Sequence, residues 1–457
     1  MFIDTHCHLD FKDFDADRDE VINRARGAGV GGMISVGSSL EGSRRCVQLA
    51  QRYDCIVASV GVHPHDAQTV DILCLKELEE LASRDKVVAI GEVGLDYYRT
   101  LSPRDTQKKI FRNFLSLAQK LDLPLILHDR DAHEDMLAIL REEFPGKGVR
   151  GVMHCFSGDE TLLRQCLDLG LNVSFTTNLT FKNAQRLRDL AKQVPIEKLL
   201  LETDAPFLAP QAHRGARNEP AYVTYLAEEL SRLYGLSAED VGRVTTHNAN
   251  ALFKLGIAEP QSIAYRIRNS LYLNITNRCT NECSFCVRTF SDFVKGHNLK
   301  LAHEPSAAEV CEAMNGIEGY DEIVFCGYGE PTLRLDVVKE IARYVKDKGA
   351  KTRLVTNGHG NLIHKRPIAP ELVGLVDTVS VSLNVDTADK YNAVCRPAFG
   401  KDTFEEIQRF MRDCKASGIA VEMTCLDIPE ADIERCRSIA ERALGVDFRV
   451  RAHNVVG

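Results

Sequence analysis

Short apolar runs alternate along the whole chain with stretches whose apolar positions recur every three to four residues. In the first half the runs fall at 2–6, 32–36, 56–60, 87–92, 124–128, 151–154, 171–175 and 199–202. Amphipathic stretches such as 107–121 separate them. Strand followed by helix, repeated, predicts an α/β chain with parallel sheets. Eight such units in about 250 residues match a (β/α)8 TIM barrel. A second series, at 271–276, 322–326, 352–356, 379–383, 420–425 and 448–451, predicts six more units and a partial, open (β/α)6 barrel. The pattern thus sets a first domain over 1–258, a linker over 259–266 and a second domain over 267–457.

Composition leaves this picture in place. With 44% hydrophobic and 27% charged residues the chain reads as an ordinary globular protein. No apolar run approaches membrane-spanning length, and the N-terminus has neither a basic region nor an apolar core of a signal peptide. The expectation is a cytoplasmic protein with no membrane partner. Residues 1–260 hold 38 acidic and 31 basic side chains, and residues 261–457 hold 27 and 26. An acidic first half argues against bulk electrostatic binding of nucleic acid, yet it is compatible with a site whose cations offset local carboxylates. Of the 15 cysteines most stand singly in apolar elements and read as buried thiols. Cys395, Cys414, Cys425 and Cys436 are too dispersed for a compact second cluster.

One group is different. Cys279, Cys283 and Cys286 follow a predicted strand on one tight loop. Three thiolates can hold three irons of a [4Fe–4S] cluster and leave the fourth open for a small ligand, whereas electron-transfer clusters use four. A structural zinc site wants four ligands, and no fourth Cys or His lies nearby.

In the first half, chemistry-bearing residues gather at predicted strand ends. His6 and His8 end the first strand, Glu92 the fourth, His128 the fifth and His154 the sixth, and Asp204 follows the eighth. In a parallel barrel all these ends meet at one face. Mixed imidazole and carboxylate ligands suit Zn, Mn, Ni, Fe or Mg. Six exceed one tetrahedral site and point to two ions about 3.5–4 Å apart with Glu92 as the bridge, hence to metal-assisted hydrolysis.

The segments Ile3-Asp-Thr-His-Cys-His-Leu9, Gly61-Val-His-Pro-His65, Gly91-Glu-Val-Gly-Leu-Asp-Tyr97, His154-Cys-Phe-Ser-Gly158, Glu202-Thr-Asp-Ala-Pro206, Arg217-Asn-Glu-Pro220 and Thr246-His-Asn-Ala249 resemble the TatD family of metal-dependent deoxyribonucleases, within the amidohydrolase-like barrels. That resemblance implies one divalent ion (Mg, Mn, Zn or similar) on His6, His8, Glu92 and Asp204, and a second on Glu92, His128 and His154. It further implies that Asp204 orients the attacking water, that His63 contacts the scissile phosphate, and that Glu202 is a second acidic group beside the catalytic site, with a role for an extra ion. Lys182, Arg186, Arg188, Arg214 and Arg217 are candidate phosphate contacts.

In the second half, strand ends carry Cys326-Gly-Tyr-Gly-Glu-Pro-Thr332, Val355-Thr-Asn-Gly358 and Ser380-Val-Ser-Leu-Asn384, in register with the cysteine loop. The set resembles radical S-adenosylmethionine (SAM) enzymes, with the usual paired glycines interrupted by Tyr328. By that resemblance Gly329 and Glu330 would bind the SAM amino group, Ser382 and Asn384 its ribose or carboxylate, and Thr356 and Asn357 would line the same side. An external one-electron donor, flavodoxin- or ferredoxin-like, would reduce the cluster. SAM would then yield methionine and a 5′-deoxyadenosyl radical that takes a hydrogen atom from a substrate. The combination resembles radical SAM proteins associated with or fused to TatD-type hydrolases. The expectation is a bifunctional enzyme acting on DNA or nucleotides. The alternative is a small-molecule ester or amide hydrolase coupled to a radical step.

Overall fold

The computed structural model describes residues 1–452; residues 453–457, counted in the second domain above, lie outside the described residues. The chain divides into two compact units, Met1–Ala258 and Glu259–Gly457.

The first unit is an eight-stranded parallel barrel. Its strands are β1 (Phe2–Cys7), β2 (Val30–Val36), β3 (Ile56–Val60), β4 (Val87–Asp96), β5 (Leu125–Arg130), β6 (Gly151–Met153), β7 (Asn172–Phe175) and β8 (Leu199–Leu201), paired in sequence order. The ring closes where the His8 amide donates to Ala205 O at 2.7 Å and the Asp204 amide donates to His6 O at 2.9 Å. Successive residues of a strand face opposite sides, so two apolar sets form. Leu125, Leu127, Leu199 and Leu201 pack toward the surrounding helices. Ile126 and Leu200, one residue out of step, join Ile34, Val36, Val88 and Val152 inside the barrel, where Leu252 and Phe253 of the helix Ala238–Phe253 stopper one end. Burial on both faces explains why the strands read as continuous apolar runs. The ends match the sequence reading less closely. β4 is buried throughout and runs on past Glu92, which carries Asp96 into the site. It passes β5 closely at Gly94 (φ +148°), where a Cβ would collide with the His128 carbonyl.

The second unit is a seven-stranded sheet. It contains β9 (Ala264–Ile267), β10 (Ser270–Leu273), β13 (Glu322–Phe325), β14 (Thr352–Thr356), β15 (Thr378–Ser382), β16 (Ala420–Asp427) and β17 (Asp447–Ala452), in the order β17-β16-β15-β14-β13-β10-β9. A separate hairpin joins β11 (Phe293–Val294) and β12 (His297–Asn298). Six strands are parallel, and β9 pairs antiparallel with β10. The stretch expected to be a linker therefore ends in an edge strand, because the alternation of Tyr265 inward and Arg266 outward suits one half-buried face. β10 is shorter than expected. Beyond Leu273 the Asn274 backbone amide donates to Ile263 O at 2.7 Å, and its side-chain Nδ2 donates to Leu299 O at 2.7 Å and Ser262 O at 3.2 Å. Leu273, Phe325, Leu354, Val381 and Met423 form the apolar face against the helices. The opposite face is polar, and the sheet's two edges do not pair with each other among the described residues.

Candidate functional site

At the C-terminal mouth of the barrel the six predicted ligands converge. The His8 Nδ1–H donates to Val36 O at 2.9 Å, which leaves its Nε2 lone pair facing His6 Nε2 at 3.2 Å. Two imidazole nitrogens on one tetrahedral zinc, each about 2.0–2.1 Å from the metal, would stand about 3.3 Å apart. Asp204 Oδ1 lies 3.8 Å and 3.5 Å from the same two nitrogens. Asp204 occupies the left-handed region (φ 57°), held there by the hydrogen bond its backbone N–H donates to His6 O. On the other side His128 Nδ1 and His154 Nε2 are 3.3 Å apart. Glu92 stands between the two nitrogen sets. Its Oε1 is 2.8 Å from His128 Nδ1 and 2.9 Å from His154 Nε2, while its Oε2 is 3.8 Å and 3.7 Å from His6 and His8. One oxygen toward each set is what a bridging carboxylate requires.

Electrostatics of the bare cluster fit the same reading. Burial favours a neutral Glu92, but His63 and His154 with the hydrogen bond from His128 hold its pKa well below the usual range. Burial opposes protonation of His8, yet Asp204 and Glu92 raise its pKa to about 9. His128 and His154 are raised by their carboxylate partners in the same way, against burial. The carboxylates thus demand positive charge on the rings, and a divalent ion would replace those protons. His6 Nδ1 and His154 Nδ1 are buried without a hydrogen-bond partner.

The supporting residues were only partly foreseen. Asp96 Oδ2 lies 3.2 Å from His128 Nε2 and 2.9 Å from His65 Nε2, so it fixes the ring of His128 with Nδ1 toward Glu92. Asp96 and His65 sit inside quoted motifs, but nothing in their spacing assigned them a role. Asp4 accepts from the Thr203 amide at 3.0 Å and the Thr203 hydroxyl at 2.6 Å, tying the first strand to the segment after the eighth. Glu202 is fully buried. It accepts from the Cys155 amide at 2.6 Å and Ser174 Oγ at 2.8 Å, and it lies 3.6 Å behind His154 Nδ1. With His6 and His154 it forms one of the groups of donor atoms close enough to hold an ion. His63 sits at the rim, its Nε2 3.6 Å from Glu92 Oε1. The expected phosphate contacts are largely spoken for. Arg217 pairs with Asp17 at 2.7 Å, Arg188 donates to Leu179 O and Phe181 O, and Arg214 stacks on Phe181. The mouth, a cavity of about 640 Å³, is instead lined by Arg99 and Arg130, with Phe11 and Phe207.

In the second unit the cysteine loop is lashed to one segment. The Glu282 amide donates to Cys395 O at 3.0 Å, the Ser284 amide to Val394 O at 2.9 Å, and the Ala398 amide to Thr280 O at 2.9 Å. Cys279 Sγ accepts from the Asn281 amide at 3.4 Å. Burial raises the thiols of Cys279, to about 11, and of Cys286. For Cys283 the nearby Cys395 thiol is the larger cause of its raised pKa. Thiolates here need a cationic partner, which an iron cluster supplies. The tertiary fold pairs cysteines that looked dispersed: Cys395 with Cys283, and Cys425 with Cys436 at 3.6 Å between sulfurs.

The expected SAM contacts divide into two kinds. Glu330 Oε1 accepts from the Thr332 amide, the Thr332 hydroxyl and the Thr356 hydroxyl at 3.0, 2.6 and 2.7 Å, and Oε2 accepts from the Asn357 amide at 2.7 Å. Three of these donors converge on Oε1 and one on Oε2, so the carboxylate ties the loop down while Oε2 keeps acceptor capacity. Asn357 likewise spends its amide on Thr280 Oγ1 at 2.9 Å and Cys279 Sγ at 3.8 Å. Gly329 is required by packing, since a Cβ there would collide with the Arg278 carbonyl. Asn384 Oδ1, by contrast, is buried without a partner, and Ser382 Oγ lies on the polar face. These two fit a polar ligand.

A family model described as TatD-related DNase matches residues 3–254, and one for the radical SAM superfamily matches residues 273–443. The chain belongs to the TatD-related DNase family. Its first unit is 43% identical over 255 residues to the uncharacterized metal-dependent hydrolase YabD of Bacillus subtilis, covering 56% of this chain and 100% of that protein. It is 37% identical over 262 residues to the 3′-5′ ssDNA/RNA exonuclease TatD of Klebsiella pneumoniae, covering 56% and 98%. Among solved structures, the TatD homologue YJJV of Escherichia coli K12 superposes with a TM-score of 0.52 at 32% identity, covering 55% of this chain and 98% of that one. The TatD-related unit is thus followed by a radical SAM domain in one enzyme chain. No helix among the described residues is long and apolar enough to cross a membrane.

Proposed function

We propose that this chain is a bifunctional nucleic-acid enzyme. The TatD-related unit hydrolyses phosphodiesters with two divalent ions, one on His6, His8 and Asp204, the other on His128 and His154, with Glu92 shared. The radical SAM unit holds a [4Fe–4S] cluster on Cys279, Cys283 and Cys286 and acts on a nucleotide or nucleic acid. The placement of Glu92 between two nitrogen pairs is the observation that carries the hydrolytic reading. When bound, two such ions lower the pKa of a shared water and offset charge on the phosphodiester. The cluster and SAM, when bound, supply a hydrogen-abstracting radical.

The protein's own groups set the rest. His63 Nδ1 accepts the His65 amide at 3.2 Å, and burial lowers the pKa of His63 to about 3. Its proton therefore rests on Nε2, ready to donate to a phosphate oxygen. Asp204 Oδ1 is placed to accept a proton from the attacking water. Arg99 and Arg130 at the mouth offset a phosphate's charge. Glu330 and Asn357 hold the loops that flank the cluster, while Asn384 Oδ1 offers an unpartnered acceptor and Ser382 a rotatable hydroxyl to SAM.

The small-molecule reading draws support from the cavity, whose volume of about 640 Å³ is in the range of metabolite sites. One anaerobic experiment separates the two. The reconstituted, reduced protein is given SAM with and without single-stranded DNA, and 5′-deoxyadenosine and DNA products are quantified. DNA cleavage together with DNA-stimulated 5′-deoxyadenosine formation is expected. Inertness toward DNA with every metal tried, alongside turnover of a small ester or amide, would refute the nucleic-acid reading.

A further inference from the structure

The polar face of the second sheet holds a charge, that of Arg451, which no described residue answers with an ion pair. Two ion pairs lie there: Arg353 with Glu322 at 2.6 Å, and Arg449 with Glu422 at 2.9 Å. Ser270 and Ser380 donate to the same two carboxylates at 3.1 Å and 2.9 Å. Arg451 stands two residues beyond Arg449 on β17 and so shares its face. It makes no ion pair with a described residue. Its Nη2 donates to Ser382 Oγ at 3.3 Å, and its Nε is buried with no hydrogen-bond partner. A guanidinium carries five N–H donors and keeps its charge at any ordinary pH. A largely desolvated, unpaired cation is costly, so a fold that keeps one is short of an anion.

Location says which anion. Arg451 lies near the C-terminal end of β17, the end of the strands where α/β sheets bind their ligands. It shares Ser382 with the expected SAM contacts, and the neighbouring Asn384 Oδ1 is also unpartnered.

We propose that Arg451 and Ser382 form an oxyanion subsite, which takes a phosphate or carboxylate group of the second unit's substrate beside SAM. The guanidinium edge offers two parallel N–H groups to two oxygens. The Ser382 hydroxyl, which now accepts from Arg451, can rotate to donate a third bond. The proposal rests on the reading of this unit as SAM-dependent. The same oxyanion chemistry could come from SAM's own carboxylate, and the test distinguishes the two.

The probes are inorganic phosphate and acetate, added to the full-length protein with its cluster reconstituted. Phenylglyoxal modification is followed at each arginine by peptide mass spectrometry, so anion binding elsewhere does not enter the readout. Arg451 is expected to react, phosphate to slow its reaction several-fold, and Arg449 to be unaffected. Saturating SAM should neither give that protection nor abolish it. Lack of protection by both anions, or an Arg451 that never reacts, overturns the subsite. Protection by SAM alone hands the guanidinium to the SAM carboxylate and overturns the substrate assignment. Arg451→Gln should lose the rise in melting temperature that phosphate gives, and Arg451→Lys should keep part of it. If Arg451→Gln does not fold, the labelling of the natural protein still decides. SAM binding in the same samples keeps the two readings apart, because phosphate protection without SAM binding leaves the subsite standing and removes the SAM-dependent reading.

Discussion

In the TatD-related unit the candidate ligands come from five strand ends as distant in sequence as His6 and Asp204. In the radical SAM unit the three cysteines lie between residues 279 and 286. The first centre exists only because the barrel closes, through the bonds between His8 and Ala205 and between Asp204 and His6. The second is a local loop that the fold then pins down, at Val394, Cys395 and Ala398. A centre assembled across strands is rigid but depends on every element. A centre written on one loop is portable but needs outside contacts to shield it.

The comparison breaks most visibly through ligand loss. His128→Ala should lower hydrolysis by more than about 100-fold, since changes in outer-shell partners alone cost 10–100-fold, while reductive SAM cleavage continues. Cys286→Ala should do the reverse, abolishing iron retention and 5′-deoxyadenosine but sparing hydrolysis. If either variant silenced both activities in assays run side by side, the two centres would not be independent.

A smaller effect tests how deep the assembly across strands goes. Asp96→Asn removes the carboxylate that orients His128 and should weaken metal retention by about 10–100-fold. Metal content after dialysis against a weak chelator measures it, and an unchanged value would show that the ring is held by packing alone. In the second unit Glu330→Gln keeps one acceptor oxygen but puts an amide donor where the other carboxylate oxygen accepts. It should lower unfolding free energy by about 2 kcal/mol in denaturant titration, with SAM affinity retained. A stable variant that no longer binds SAM would return Glu330 to the ligand. Smallest are the helix caps. Ser237 accepts the Asp240 amide at 3.0 Å and Thr387 the Lys390 amide at 3.3 Å. Replacing either by alanine should cost about 1 kcal/mol and change neither activity.

The alternation of strand and helix was legible because a strand buried on both faces is apolar without interruption. The cysteine triplet was legible because its chemistry depends on local spacing. The strand-end ligands could be read once a parallel barrel was assumed, since closure brings every C-terminal end to one mouth. Asp96 was not legible: its place depends on β4 continuing past Glu92. Nor was the edge strand β9, whose short alternation is too brief to show without its partner β10. Glu202 and Glu330 could be read as site carboxylates, but not the backbone and hydroxyl donors that each also satisfies. The sequence alone determined the order of elements, the donor types and the loop that holds three thiols, all properties of neighbouring residues. Only the tertiary structure decided that Asp96 stands against His128, that Cys395 lies beside Cys283, and that Arg451 makes no ion pair with a described residue. Those outcomes depend on contacts between residues far apart in the chain, and on which polar groups remain unsatisfied once every other contact is made.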